Sequence, residues 1–339
     1  LGQSGTKHST FSFSFYYFLL DYSIHYKSWL KNTAQVVIFY YLSWRYVILW
    51  LYYVKQQYGQ ILTTPKPFVK WAGGKRQLIP ILNQNLPVSF GTYYEPFLGG
   101  GALLFHMLTE RNGQKCSISD LNSDLVLAYT TIRDRIDNLI TSLKNHEKNY
   151  QKDSKFYYYS VRQSNPRSEI EKTSRLLFLN RTCFNGLYRV NSKGKFNVPL
   201  GKYTNPNIVN EENLRSVSSI LQSSKVNIKC RDFEAVLRDA KKGDLVYFDP
   251  PYQPVSDTAN FTSYTNKDFT YADLSRLAEL CKNLDEKGCK VLLSNSDSKQ
   301  VSDMFSEKPW TINKIPANRS INSNSQKRTG HFELLIKNY

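Results

Sequence analysis

Four short strand-like runs in this chain, three of them apolar, each end at an acidic or amide residue, and this pattern constrains the fold most strongly. The runs end at Glu95, Asp120, Asp249 and Asn295. Such runs predict buried strands, and helical patterns follow several of them. Strands that alternate with helices predict an α/β fold with a largely parallel sheet. Because ligands bind beyond the carboxyl ends of such strands, we expect these polar residues to line a pocket.

The alternation of strands and helices is interrupted between about residues 125 and 215. Apolar residues recur on one helical face from Leu125 to Leu143, and a polar, basic and aromatic stretch follows. We interpret residues 125–215 as an inserted domain between two parts of the sheet domain, 61–124 and 216–339. In the second part, a helix is expected over 271–287, with Thr270 and Asp273 in capping-box register.

Residues 1–60 differ in composition from the rest, because they hold 18 of the 48 aromatic residues. Residues 34–54 form an apolar run long enough to cross a bilayer, but Arg45 near its middle offsets the favourable insertion of its neighbours. The sequence does not begin with Met. We therefore expect an accessory extension or translated sequence upstream of the true start. A membrane anchor is not favoured, and a packed helical extension stays open.

Net charge suggests a polyanionic partner. The chain has 45 Lys and Arg against 28 Asp and Glu, a formal charge of +17, and residues 1–60 contribute only +4 of it. Nucleic acid and an anionic membrane surface both suit such an excess. Five cysteines without a CxxC pair and five scattered histidines argue against a disulfide scaffold, a zinc site or another metal site.

The segment Asp249-Pro250-Pro251-Tyr252 directly follows a predicted buried strand. An Asp carboxylate and the Pro250 carbonyl can both accept hydrogen bonds from one exocyclic amine. Consecutive prolines fix the φ angles of the loop, and the tyrosine offers a face on which a base can stack. The segment thus suits an amine-bearing base, although an ordinary proline turn after a strand stays open.

A glycine turn and an upstream tryptophan and lysine predict a nucleotide-like ligand. Gly99–Gly101 allow close backbone approach, and Asp120 follows 21 residues after Gly99, where an acid binds ribose hydroxyls. Trp71 could lie near a sulfonium or adenine ring, and Lys75 could bind a carboxylate. The spacing does not match a phosphate-binding loop. A plain tight turn and a basic surface turn are the alternatives.

Residues 180–203 interleave basic and aromatic side chains, and Asn191–Gly194 suggests a hairpin turn. In a major groove, Arg reads guanine and Asn reads adenine, so a basic hairpin suits DNA, whereas a solvated hairpin is the plain alternative. Residues 319–330 suggest a basic loop that contacts phosphates.

In order, the segments PFVKWAGGK, EPFLGGG, NRTCFNGLYRVNSKGKFNVPLGKY, YFDPPY and LLSNS make residues 66–339 resemble the Dam family of DNA adenine-N6 methyltransferases. The resemblance is greatest to the GATC-modifying enzymes of DpnII-type restriction systems. It implies a Rossmann-like S-adenosylmethionine-dependent methyltransferase sheet with an inserted, mainly helical target-recognition domain that bears a β-hairpin.

The resemblance also implies roles for individual residues. The catalytic residues would be Asp249, Pro250, Pro251 and Tyr252. The S-adenosylmethionine contacts would be Trp71, Lys75, Glu95, Phe97, Gly99, Gly101, Asp120, Phe233 and Asp249. The DNA contacts would be Lys70, Asn185, Leu187, Arg189, Asn191, Pro199, Lys202, Tyr203 and Arg319. Lys202 departs from the family, because relatives often have Arg there, and residues 1–60 have no counterpart.

The implied activity is methyl transfer from S-adenosylmethionine to N6 of a flipped adenine in double-stranded DNA, within GATC and without a metal. The implied enzyme is a cytoplasmic, nucleoid-associated monomer with a cognate restriction endonuclease as a functional partner. Three alternatives stay open: a noncatalytic DNA-binding regulator, a membrane-associated protein that uses its charge on lipid, and methylation of cytosine N4.

Overall fold

The computed structural model describes residues 64–111, 113–252, 269–317 and 331–339. Their centre is a seven-stranded sheet. The strands are β1 (Tyr93–Glu95), β2 (Cys116–Asp120), β3 (Val226–Cys230), β4 (Leu245–Phe248), β5 (Lys290–Ser296), β6 (Thr311–Ala317) and β7 (His331–Lys337). The four runs predicted from the sequence correspond to β1, β2, β4 and β5.

The strand order is β3-β2-β1-β4-β5-β7-β6, and β7 runs antiparallel to both of its neighbours. The pairs among β1 to β5 are parallel. The sheet is mainly parallel and its strand order reverses between β1 and β4, as in doubly wound α/β folds, so the predicted α/β fold class is confirmed. Because β1, β2 and β4 are parallel neighbours, their carboxyl ends at Glu95, Asp120 and Phe248 meet at one edge of the sheet.

Helices cover both faces of this sheet. Before β3 they are α1 (Ile79–Asn85), α2 (Ala102–Glu110), α3 (Ser123–Asp134), α4 (Ile136–Lys152), α5 (Ser154–Gln163), α6 (Glu169–Thr182) and α7 (Glu211–Ser223). After β3 they are α8 (Val236–Asp239), α9 (Tyr271–Glu286) and α10 (Lys299–Met304). Short 3₁₀ turns span Lys75–Leu78, Phe184–Gly186 and Phe233–Ala235.

The two faces of the sheet bury different sets of side chains, because successive residues of a strand point to opposite sides. One face buries Tyr93, Tyr247 and Leu292 in the same core as helices α1 to α7. The other buries Val246 and Phe248 against α9 and α10. Since Glu95 lies two residues after Tyr93 on β1, it faces the same side as Tyr93.

Helix ends follow the sequence closely, with one difference. Helix α9 begins with the predicted capping box of Thr270 and Asp273, and Gly288 follows it at a φ of +77°. The apolar face from 125 to 143, in contrast, is divided between α3 and α4. Arg135 separates them at a φ of −140° and a ψ of 41°, a conformation that cannot continue a helix.

Helices α3 to α7 and the segment between α6 and α7 lie between β2 and β3 in the chain, where the inserted domain is predicted. Helix α3 packs against β2 and β3, whereas α4 to α6 pack against one another, and α4 and α6 also against α3, within the same hydrophobic cluster. The division into 61–124, 125–215 and 216–339 stays a prediction.

The predicted hairpin of this region is built from a turn and isolated bridges rather than paired strands. The turn is closed by a hydrogen bond from Gly194 N to Asn191 O of 2.8 Å, and Val190 bridges Phe196 in antiparallel fashion. Within the described residues, Phe184–Tyr203 form no longer ladder. One physical reason is Pro199, which has no N–H to donate.

Residues 1–60, with the apolar run 34–54, lie outside the described residues, and so does the predicted loop 319–330. Among the helices that the structure does describe, none combines the length and the apolar character needed to cross a membrane.

Candidate active site

The Asp249–Tyr252 segment leaves the sheet at the carboxyl end of β4. Asp249 accepts a salt bridge of 2.8 Å from Lys75 Nζ, and only 5% of the Lys75 side chain is exposed. Pro250 is buried and Pro251 is exposed. The predicted lysine and aspartate therefore meet directly, although the sequence suggested that Lys75 would bind a ligand carboxylate.

Lys75 is held from several sides at the start of the 3₁₀ turn that precedes α1. Its ammonium donates to the carbonyl of Gly73 at 2.9 Å and lies 3.7 Å from Glu333 Oε2 on β7. The same ammonium lies 4.7 Å from the centroid of the Tyr252 ring, within range of a cation–π interaction. Lys75 thus joins the amino-terminal segment, β4 and β7.

The carboxyl groups of this site have raised pKa values because they are buried. Burial raises the pKa of Asp249 to about 6, and the Lys75 cation opposes the increase. Burial raises the pKa of Glu95 to about 8, even though the Tyr93 hydroxyl donates to Glu95 Oε2 at 2.9 Å. Near neutral pH, Asp249 is therefore mainly ionised and Glu95 mainly protonated.

The glycine turn after β1 is fixed by the acid at the end of β2. Gly99 N donates to Asp120 Oδ2 at 3.0 Å, and Tyr129 Oη donates to Gly99 O at 3.1 Å. Gly99 and Gly101 have φ angles of +50° and +67°, which favour glycine. A Cβ at Gly101 would also collide with the Tyr129 hydroxyl. The predicted turn and acid are therefore in contact.

Aromatic side chains surround this turn. The Phe97 and Phe233 rings stack with centroids 5.2 Å apart, and Phe269 contacts both. Trp71 lies so close to Gly99 that a Cβ there would be 3.0 Å from Trp71 Cδ1. The nine predicted donor-binding residues therefore lie together at one edge of the sheet, and they include both polar and aromatic side chains.

Lys70 lies on the other side of Trp71, next to the segment that contains the predicted hairpin. Its ammonium donates to Tyr203 Oη at 3.2 Å and lies 4.7 Å from the Tyr203 ring centroid. Lys70 is exposed, and Tyr203 is half-buried. Lys70 and Tyr203, both predicted to contact DNA, are therefore in contact with each other although they lie 133 residues apart in the chain.

Two predicted base-reading residues have contacts within the hairpin itself. Arg189 Nε donates to Asn197 Oδ1 at 2.8 Å, which uses one of the five N–H groups of the guanidinium. Asn191 Oδ1 accepts from the backbone N–H groups of Lys193 and Lys195, each at 3.0 Å. The Asn191 oxygen thus stabilises the turn, and its amide nitrogen is the group suited to base contact.

The other predicted DNA contacts border the same segment. Asn185, Pro199 and Lys202 are exposed, and Leu187 is half-buried. Asn185 has a φ of 55°, which is rare for a residue with a side chain. Arg319 lies outside the described residues.

Comparison with known proteins decides the family. The family model described as D12 class N6 adenine-specific DNA methyltransferase matches residues 71–321. The chain belongs to this family. It is 42% identical to the Type II methyltransferase M1.LlaDCHI of Lactococcus lactis subsp. cremoris, over 81% of this chain and 95% of the relative.

Other members are similar over comparable lengths. The Type II methyltransferase M.MjaIII of Methanocaldococcus jannaschii is 43% identical, over 81% of this chain and 99% of its own length. The DNA adenine methylase of Haemophilus influenzae is 34% identical, over 80% of this chain and 92% of its own length. The chain is therefore an adenine-specific DNA methyltransferase of the D12 class.

The residues at the edge of the sheet suit S-adenosylmethionine, the methyl donor that membership of this family implies. Asp120 keeps lone pairs for ribose hydroxyls, since each of its oxygens accepts one backbone N–H. Phe97 and Phe233 offer an apolar side for a purine ring. Ionised Asp249 supplies negative charge of the kind that favours a cationic sulfonium. Among the residues that the structure describes, no cluster of three or more His, Cys, Asp or Glu could hold a metal.

Sequence reasoning missed two polar residues of this methyltransferase. Glu333 is buried beside Lys75, and its Oε2 has no hydrogen-bond partner among the described residues. A single Glu within the apolar run of β7 could have suggested a buried charge. Asn180, the first residue of the segment 180–203, is the second: it is 2% exposed and hydrogen bonded to Lys70.

Proposed function

We propose that this methyltransferase modifies N6 of adenine within GATC in double-stranded DNA, on a base flipped out of the helix. We further propose that it protects DNA against a cognate restriction endonuclease. Two observations support this: the order of the motifs resembles GATC-modifying enzymes, and the relatives at 42% and 43% identity are named Type II methyltransferases.

The observation on which the proposal chiefly rests is the largely buried Asp249, which is ion-paired with Lys75 at the start of the Asp249–Tyr252 segment. When bound, S-adenosylmethionine supplies an electrophilic methyl group. Ionised Asp249 accepts one hydrogen of the adenine amine, and the Pro250 carbonyl accepts the other. These two acceptors orient N6 toward the donor, so catalysis consists mainly of positioning and electrostatic stabilisation.

Base flipping requires that the unstacked adenine gain new contacts. Extrusion costs a few kcal/mol. Stacking on an aromatic ring returns about 1–3 kcal/mol. Tyr252 is the ring that we assign to this role, because it is partly exposed and directly follows Pro250-Pro251.

Recognition of the site is assigned to the Phe184–Tyr203 segment together with Lys70. The exposed residues of this segment include Asn191, Lys193 and Lys195 at its turn and Lys202 near its end. The formal charge of +17 adds sequence-independent attraction to DNA phosphates. In this proposal residues 125–215 form the target-recognition part, and the enzyme acts as a monomer at the nucleoid in the cytoplasm.

The test is methylation of GATC-containing plasmid DNA, followed by digestion with nucleases that are blocked by, or depend on, adenine methylation at GATC. Plasmid DNA treated with the wild-type protein should resist the nucleases that adenine methylation blocks, and it should be cut by the nucleases that depend on this methylation. Asp249→Ala should reduce turnover by about two to three orders of magnitude, by analogy with removal of one preorganised polar contact. Asp303→Ala, at an exposed ion pair on α10, should retain wild-type activity.

The outcomes separate the parts of the proposal. Methylated adenine at other sequences would refute GATC specificity and leave the activity intact. Near-normal turnover of Asp249→Ala would refute its role in holding the amine.

A further inference from the structure

Two asparagines attach the segment Lys66–Lys75, called here the donor-side segment, to the helical layer. Asn213 on α7 accepts from Lys66 N at 2.9 Å and donates to Lys66 O at 3.0 Å. Asn180 on α6 accepts from Lys70 N at 2.8 Å and donates to Lys70 O at 2.9 Å. The two side chains thus make the same pair of bonds at two points of one segment.

Asn180 makes a third bond, for which Asn213 has no counterpart among the residues that the structure describes. Its amide nitrogen also donates to the carbonyl of Gly186 at 2.9 Å, near the start of Phe184–Tyr203, called here the hairpin segment. Gly186 has a φ of +66°, and a Cβ there would lie 2.8 Å from Lys70 Cβ and collide with the rest of that side chain. Asn180 therefore holds Lys70 and the hairpin segment in direct contact.

The next residue extends this contact toward the donor-binding turn. The Trp71 ring lies 5.3 Å from the Tyr188 ring of the hairpin segment. The same ring also lies next to Gly99, whose backbone N–H donates to Asp120. Packed contacts consequently run without a gap from Gly186 to Lys70, to Trp71 and to the glycine turn.

We propose that Asn180 is a positioning residue that couples DNA recognition to methyl-donor binding. This rests on the proposed function, in which Lys70 and the hairpin segment contact DNA. When bound DNA holds the hairpin segment in place, Asn180 passes this restraint to the backbone of Lys70 and hence to Trp71. By linkage, DNA then raises the affinity for the donor, and the donor raises the affinity for DNA by the same factor.

The experiment compares Asn180→Asp with Asn213→Asp. Each substitution keeps the acceptor oxygen and replaces the donating nitrogen with an oxygen that faces backbone carbonyls. Only Asn180→Asp disturbs the link to Gly186. The probe is S-adenosylhomocysteine, whose dissociation constant is measured by calorimetry with and without a GATC duplex, so that no turnover occurs.

For the wild-type protein we expect the duplex to tighten the binding of S-adenosylhomocysteine by about 5- to 150-fold, the usual range of coupling between sites. Asn180→Asp should reduce this factor to less than about twofold while its affinity without DNA stays within about threefold of wild type. Asn213→Asp should retain the wild-type factor. The duplex affinity, measured with and without the probe, must change by matching factors.

Three outcomes would overturn the proposal: no coupling in an active wild-type enzyme, wild-type coupling in Asn180→Asp, or equal loss in both variants. Asn180→Ala is a second variant in case a buried carboxylate prevents folding. If neither Asn180 variant folds and the Asn213 variant does, Asn180 is a folding residue and the proposal is wrong. A wild-type protein that leaves plasmid DNA unmethylated refutes the proposed function instead.

Discussion

The ion pair between Lys75 and Asp249 predicts how turnover depends on pH. Asp249 can accept a hydrogen from an amine only when it is ionised, so turnover should fall as the pH drops through its pKa of about 6. Lys75 is the cation that opposes the effect of burial on this pKa, and it lies 2.8 Å away. The substitution Lys75→Gln removes the charge and keeps a side chain of similar polarity.

The expected shift follows from the strength of the lost interaction. A hydrogen bond between charged groups contributes about 1.5–3 kcal/mol. One pKa unit corresponds to about 1.4 kcal/mol. Lys75→Gln should therefore raise the pKa of Asp249 by about one to two units, since both side chains are largely buried. Turnover at pH 6.5 should fall about tenfold relative to that at pH 9, where Asp249 is ionised in both proteins.

The assay is kcat for transfer of a labelled methyl group to duplex DNA between pH 5 and 9. Donor and DNA are saturating, because Lys75 is also assigned to donor binding. Glu333→Gln is the matched control, since the negative charge of Glu333 raises the pKa of Asp249. Its acid limb should move to lower pH, by less than about one unit.

An acid limb with the same midpoint in wild type and Lys75→Gln would refute this reasoning. It would show either that Asp249 is not the titrating group or that the ion pair is absent in the reacting complex. Shifts of both variants in one direction would also contradict it, because the two substitutions remove charges of opposite sign.

Three further predictions concern other positions. The unfolding free energy should decrease by several kcal/mol as pH rises from about 4.5 to 8, because ionised Glu95 is disfavoured in the fold; Glu95→Gln should abolish that part of the dependence in denaturant titrations. Gly101→Ala should lower the unfolding free energy by more than Gly113→Ala, because both have positive φ but only Gly101 faces the Tyr129 hydroxyl. Arg189→Ala should lose about 1–3 kcal/mol of discrimination at one base, and an equal loss on all sequences in binding assays would indicate a phosphate contact instead.

The strands that end at Glu95, Asp120 and Asp249 could be predicted because burial leaves a local pattern in the sequence. A strand buried on both faces is a short apolar run, and the polar residue after it marks where the chain leaves the sheet. Because these strands pair in parallel, the three acids at their carboxyl ends lie at one edge of the sheet.

The carboxyl-terminal strands could not be placed in the same way. β7 lies between β5 and β6 and runs antiparallel to both, an order set by packing between distant segments. Glu333 within it resembles the exposed acid of an edge strand until its neighbour Lys75, 258 residues earlier, is known. Asn180 was equally unpredictable, because its partner Lys70 lies 110 residues away.

Composition also could not show how charge is divided between surface and interior. The net charge is strongly positive, yet Asp249 and Glu333 lie largely buried beside the Lys75 ammonium, and Glu95 is buried at the end of β1. Exposed lysines attract DNA phosphates from a distance, whereas buried carboxyl groups act at short range, where the effective dielectric constant is lower. Lys70 and Lys75 are five residues apart. Lys70 is exposed and adds to the positive potential at the surface, whereas Lys75 is buried beside Asp249. Burial, and not charge alone, therefore lets one basic chain suit both a polyanion and a cationic methyl donor.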